Sequence, residues 1–164
     1  MKAVAIIPAR YDSTRFPGKA LAKLLSKPLI QWVWEAVINA NLFDQVIVAT
    51  DSIQIKEAAE NFGAIAILTR KEHPSGTDRI AEVAETLDCD IVVNVQGDEP
   101  LINQKALAPL LHVFENSSIQ IASLMTKIKD LKQLSNPNLV KVVVDNASNA
   151  LYFSRSAIPF TRDN

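Results

Sequence analysis

Cysteine is almost absent. Cys89 stands alone in 164 residues, so no disulfide can form within the chain, and this usage fits a reducing compartment. An excess of one charge is also lacking. The formal net charge is -1, which gives no broad basic field to attract nucleic acid or an anionic membrane. Any anion must be met by a local cluster. There is no long hydrophobic run: the apolar start of "MKAVAIIPAR" stops at Pro8 and Arg10, and no small-residue cleavage site follows it. No membrane insertion and a cytoplasmic location are therefore expected. Neither GxxxxGK[ST] nor GxGxxG occurs, which removes the P-loop and disfavours a nicotinamide dehydrogenase. No Cys/His spacing suits zinc, and no Ser-His-Asp set is legible for nucleophilic catalysis. His73 and His112 lie far apart in the sequence, and His112 reads as a surface or packing residue.

What is present is a well-furnished core. Hydrophobic residues make up 48% and charged residues 21%, enough for one domain. No repeat, low-complexity tract or linker interrupts it. Apolar runs of strand length alternate with helix-length segments. "KAVAIIPA", "QVIVATD", "AIAILT" and "DIVVNV" read as four strands. Between them, "PLIQWVWEAVINAN" reads as a helix opening at Pro28, and "IQIKEAAENFG" as one closing at Gly63. "GTDRIAEVAETL" puts Ile80, Val83, Ala84 and Leu87 on one face. "QKALAPLLHVFEN" continues the pattern, with Pro109 weakening its middle. "IQIASLMTKI" and "VKVVVD" read as further strands, and "NASN" as a hairpin turn before "ALYFSR". Trp32 and Trp34, two apart on a helix, cannot share a face, so one of them is expected in the core.

Continuous apolar strands alternating with helices predict an α/β fold with a doubly wound, mainly parallel, Rossmann-like sheet. The common strand order 3-2-1-4 sets strands one and four side by side. Ligands bind beyond their carboxyl ends. The loops after these two strands therefore face one crevice.

The first loop, "PARYDSTRFPGKALAKL", carries Arg10, Arg15 and Lys19, with Ser13, Thr14 and Gly18 among them. A polyanion such as a triphosphate suits it, and a solvated basic loop is the alternative. The second loop lies in "VNVQGDEPLI". Asp98 at a strand's carboxyl end, facing phosphates, can hold Mg²⁺. The alternative is that Asp98 or Glu99 caps the following helix. A third segment, "EHPSGTDRIAEV", places Ser75, Gly76, Thr77 and Asp78 at a helix start with Arg79 adjacent. A helix cap explains it structurally, and free backbone N–H groups there could also read a base or a phosphate.

Taken together, "IPARYDSTRFPGKAL", "HPSGTDRIAEV" and "VNVQGDEPLI", followed by "NPNLVKVVVD" and "ALYFSRSAIPF", resemble the 3-deoxy-manno-octulosonate (Kdo) cytidylyltransferases, or CMP-Kdo synthetases. The five segments follow in order from one end of the chain nearly to the other, and "QGDEP" discriminates best against the acylneuraminate cytidylyltransferases. The resemblance implies a nucleotidyltransferase fold and transfer of CMP from CTP to the anomeric hydroxyl of Kdo. The products are CMP-Kdo and pyrophosphate, the former for lipopolysaccharide biosynthesis. It implies Mg²⁺ as cofactor, CTP and Kdo as small-molecule partners, and a homodimer in the full-length form. Arg10 and Lys19 would act on the triphosphate with Ser13 beside them, and Asp98 would bind the metal. Ser75, Thr77 and Asp78 would be part of the cytidine pocket, with Gly76 and Arg79 beside them as substrate-binding residues, and Gln96 and Arg155 would serve the sugar side.

The family is expected to be about half as long again as this chain, so 1–164 reads as one nucleotidyltransferase domain incomplete at its C-terminal end. The segment beyond would carry much of the dimer contact and a second Asp for the metal. Asp145, after "VKVVV", does not match that Asp's position. The expectation is CTP binding with reduced or absent turnover. Two further readings stay open: a cytidylyltransferase for another acidic sugar, and a catalytically impaired CTP-binding fragment.

Overall fold

Ala3–Ala9 has no charged side chain and is buried along nearly its whole length, which only a central strand can satisfy. The computed structural model describes residues 1–12 and 16–160. Its elements run β1 (Ala3–Ala9), β2 (Lys23–Leu24), β3 (Lys27–Pro28), α1 (Leu29–Asn39), β4 (Gln45–Thr50), α2 (Ile53–Asn61), β5 (Ile65–Leu68), α3 (Gly76–Ala84), β6 (Ile91–Asn94), α4 (Gln104–His112), β7 (Lys141–Val144) and β8 (Ala150–Ser154). Two compact units divide the chain, Met1–Gln120 and Ile121–Asn164.

In the first unit four parallel strands are ordered β5-β4-β1-β6, the 3-2-1-4 order expected from the sequence. The pleat of β1 sorts its side chains by parity. Ala3, Ala5, Ile7 and Ala9 join one core with Ile30, Val33 and Val37 of α1, Ile55 of α2 and Leu107 of α4. Val4 and Ile6 join the other core with Ile80 and Val83 of α3. Helices thus cover both faces of the sheet. The reversal of strand order falls between β1 and β6, and this fixes where the loops after them meet.

Side chains set the helix ends. Ser52 caps α2, Ser75 caps α3 and Asn103 caps α4, each accepting a backbone N–H. Pro28 is the residue before α1 rather than its first helical one, because its ψ of 147 is extended and lets it pair with Lys23. Gly63, just past α2, has a φ of 92, the left-handed conformation that ends a helix. Pro109 stays inside α4, which runs on to His112. Trp34 packs on the core, 5.4 Å from the ring of Phe62. Trp32 lies outside it and donates to the Leu24 carbonyl.

The second unit holds the antiparallel β7–β8 hairpin. Its turn is built on Asp145, whose carboxylate accepts the Ala147 and Asn149 amides at 2.8 Å each. Hydrogen bonds from Asn149 and then Ala147 hold that carboxyl below its usual range. Lys141 is buried and donates to the carbonyls of Asn136, Leu139 and Arg155. The expected strand over "IQIASLMTKI" is corrected: that segment has no regular structure. No strand among the described residues pairs with it, and Ile121 is 90% exposed. An alternating pattern makes a strand only where a neighbour takes up its backbone groups.

Candidate active site

The carboxyl ends of β1 and β6 carry the two loops singled out in the sequence, and they meet. Lys19 Nζ donates to Asp98 Oδ2 at 2.5 Å across 79 residues of chain. Both side chains remain open to solvent, 41% and 50% exposed. The cleft around the pair is lined by Pro8, Arg10, Lys19, Gln96, Gly97 and Asp98. Gly97 is there for steric reasons. A Cβ on it would stand 2.9 Å from the Pro8 carbonyl oxygen, closer than real Cβ atoms come. Gly18 has a φ of 68 and donates its N–H to the Tyr11 carbonyl at 2.8 Å, which turns the first loop back and brings Lys19 over the sheet. Ser13 and Arg15 lie outside the described residues.

Asp98 does not cap α4. Asn103 fills that position and accepts from the Lys105 amide at 3.0 Å. The capping alternative for Asp98 therefore falls away, and among the described residues its carboxylate is paired with Lys19.

A second cleft continues from the first through the shared residues Pro8, Arg10 and Gln96. His73, Ser75, Gly76 and Arg79 complete its wall. Here the cap reading holds for two residues: Ser75 Oγ accepts from the Asp78 amide at 3.2 Å and donates to Asp78 Oδ2 at 2.5 Å. Gly76 lies against Pro8, whose Cγ would be 3.2 Å from an added Cβ. Thr77 is exposed at the same helix start. A third depression of about 540 Å³ extends past Arg10 over Tyr11, Asp51, Gln54 and Lys71.

Arg79 borders the second cleft and the third depression, but its side chain is 3% exposed and its guanidinium is held within the protein. Nη2 donates to Asp51 Oδ2 at 2.7 Å, and Nη1 donates to Thr69 Oγ1 and the Arg70 carbonyl. Arg155 belongs to the second unit, where its Nη1 donates to the Pro137 carbonyl at 2.9 Å.

Two residues that the sequence did not single out for the site stand beside it. Asp51, at the end of β4, accepts from the Tyr11 amide as well as from Arg79. His73 hydrogen-bonds Glu82 on α3. That bond, with help from the Arg70 amide and guanidinium, holds the Glu82 carboxyl below its ordinary value. A carboxylate closing a central strand is a signal for Asp51 that the sequence does contain.

The model of the family described as cytidylyltransferase matches residues 4–164. The chain belongs to the cytidylyltransferase family. It is 52% identical over 164 residues to the 3-deoxy-manno-octulosonate cytidylyltransferase of Trichlorobacter lovleyi, covering 99% of this chain and 65% of that relative. It is 53% identical over 167 residues to the enzyme of the same name from Geotalea daltonii, with the same coverage. The chain thus spans 65% of the length of these curated relatives. Among solved structures, a CMP:2-keto-3-deoxy-manno-octonic acid synthetase complexed with CTP aligns with a TM-score of 0.89 and 40% identity, covering 99% of this chain and 68% of that one. A cytidylyltransferase from Leptospira borgpetersenii aligns with a TM-score of 0.61 and 27% identity over 71% of this chain and 50% of that one. The family resemblance and the doubly wound fold expected from the sequence are both borne out.

Proposed function

We propose that this chain carries the nucleotide half of a Kdo cytidylyltransferase site, transferring CMP from CTP to the anomeric hydroxyl of Kdo and releasing pyrophosphate. The observation that carries this reading is the Lys19–Asp98 pair, which joins two loops at the topological switch point beside Arg10. Cations and a carboxylate at one point suit a triphosphate with its counter-ion. The relatives' name and the CTP complex of the similar synthetase favour cytidine and Kdo as the two substrates.

Lys19 and Arg10 would neutralise charge on the transferring phosphoryl and the departing pyrophosphate. Ser13, Ser75, Gly76, Thr77 and Asp78 would sit around the nucleoside, and Gln96 and Arg155 would serve the acidic sugar. Phosphoryl transfer of this kind needs positioning and charge more than a covalent nucleophile, which suits a site with no Ser or Cys triad among the described residues.

The donor set fits Mg²⁺ in a limited way. Asp98 is one half-exposed carboxylate, and no group of three or more His, Cys, Asp or Glu gathers among the described residues. Mg²⁺ commonly takes one or two carboxylates plus substrate phosphates and waters, so Asp98 would hold it only together with the nucleotide. Bound there, the ion would supply Lewis-acid stabilisation of the phosphates.

The test is pyrophosphate release with CTP, Mg²⁺ and Kdo, run against a control without sugar and against other acidic sugars. Kdo-dependent release supports the reading, and preference for another sugar moves the assignment to that substrate. CTP binding without release favours a second reading, a catalytically impaired nucleotide-binding fragment, which the lack of a carboxylate cluster among the described residues supports. Absence of CTP binding overturns both.

A further inference from the structure

Arg79 spends its hydrogen bonds inside the protein, and the groups it holds lead back to the site. Its guanidinium gathers Asp51 at the end of β4 with Thr69 and Arg70 just past β5. Asp51 is itself nearly buried, its side chain 12% exposed. Its two oxygens are divided between two elements: Oδ2 takes Arg79, and Oδ1 takes the Tyr11 amide at 3.3 Å. Tyr11 follows Arg10, the residue common to all three clefts. Tyr11 also fixes the first loop through its carbonyl, which accepts from Gly18 next to Lys19. A chain of contacts therefore runs from α3 through Asp51 to both cations proposed for the triphosphate.

We propose that Arg79 is a positioning residue, and that the Arg79–Asp51 pair is a brace that holds the loop bearing Arg10 and Lys19 in its ligand-ready conformation. The physical basis is the cost of an unpaired buried charge. With Arg79 in place, Asp51 keeps one carboxylate oxygen for the Tyr11 amide. Without it, the carboxylate must turn toward water and that amide loses its acceptor. The identity of the ligand rests on the cytidylyltransferase reading; the brace itself does not.

Two substitutions test it. Asp51→Asn keeps the shape but offers one oxygen and one NH₂ to two donors; the buried, charged Arg79 guanidinium takes the oxygen, and the Tyr11 amide is left facing the NH₂. Arg79→Gln removes the charge from the other side. Amide exchange at Tyr11, read by NMR without nucleotide, is expected to quicken about tenfold in both variants. By calorimetry both should weaken CTP about tenfold and CMP less, because the braced cations face the triphosphate. The double variant should be no worse than either single one. Arg79→Lys, which keeps a charge for Asp51 but fewer donors, should recover part of the loss.

Equal weakening of CTP and CMP by Arg79→Gln, with Asp51→Asn unaffected, would make Arg79 a direct nucleoside contact and sink the brace. Unchanged Tyr11 exchange in Asp51→Asn would sink it whatever happens to binding. If Arg79→Gln does not fold, Asp51→Asn decides alone. If the wild-type chain binds no CTP, the nucleotide reading fails, and the exchange data still decide the brace.

Discussion

Lys19 and Asp98 illustrate how little a functional pair can owe to stability. Both are about half exposed, and pairs of that kind contribute roughly 0–1 kcal/mol. Lys19→Met should therefore change the denaturant midpoint barely, while CTP affinity falls more than CMP affinity; an equal fall for both nucleotides would remove Lys19 from the phosphates. Gly97 is the opposite case. Gly97→Ala forces a Cβ into the Pro8 carbonyl at 2.9 Å, and backbone on backbone has nowhere to yield. A loss of about 1–3 kcal/mol by chemical unfolding is expected, together with weaker CTP binding as Asp98 moves. A fully stable Gly97→Ala would show that the loop after β6 can shift freely. Residue types at spaced positions pick out Arg10, Lys19 and Asp98 as candidates, and the fold brings all three to one cleft. The inward turn of Arg79 was not legible, since nothing local says which way an arginine beside a helix cap will turn. Asp51, 28 residues away, together with Thr69 and the Arg70 carbonyl, holds it inward.

Elements were read well wherever periodicity and burial coincide. β1, β4 and the order of the four-stranded sheet followed from apolar runs, because strands buried on both faces leave a continuous signature. The segment over 119–128 was read as a strand from its alternation, which says nothing about whether a partner lies alongside. α3 carries a testable element-scale tie. Glu82 on it accepts from the His73 ring and from the Arg70 amide, linking the helix to the 70–75 loop. Its carboxyl titrates below the ordinary value of 4.5 when folded, so the tie is fully present above that value. It is lost as pH falls through the lowered folded value. Hydrogen exchange along α3 should accordingly quicken on acidification below about pH 4.5. Glu82→Gln should start loose and lose that acid-dependent step. If wild type and Glu82→Gln show the same acid profile, the carboxylate does not hold the loop.

On the scale of the whole molecule, burial is distributed unevenly between the two units. Every buried apolar residue, from Ala3 to Leu107, belongs to Met1–Gln120. In Ile121–Asn164 the buried side chain among the described residues is Lys141, held by three carbonyls, while Leu151, Tyr152, Phe153 and Phe160 are exposed. Hydrophobic burial drives cooperative folding, so the first unit is expected to hold nearly all of the chain's stability. Limited trypsin digestion should cut first at Lys127, Lys129 or Lys132, leaving a resistant fragment that begins at Met1. Residues 1–120 made alone should melt cooperatively, with a midpoint within about 4 °C of the longer chain, the shift that a loss of about 1 kcal/mol gives a domain of this size. They should also keep the Tyr11 amide protected, because Asp51 and Arg79 both lie within them. A fragment that fails to melt cooperatively would show that the 121–164 unit contributes to the core in a way its own burial does not reveal. A fragment that melts normally and still binds CTP would assign the nucleotide half of the site to the four-stranded unit alone, with Arg155 reserved for the sugar.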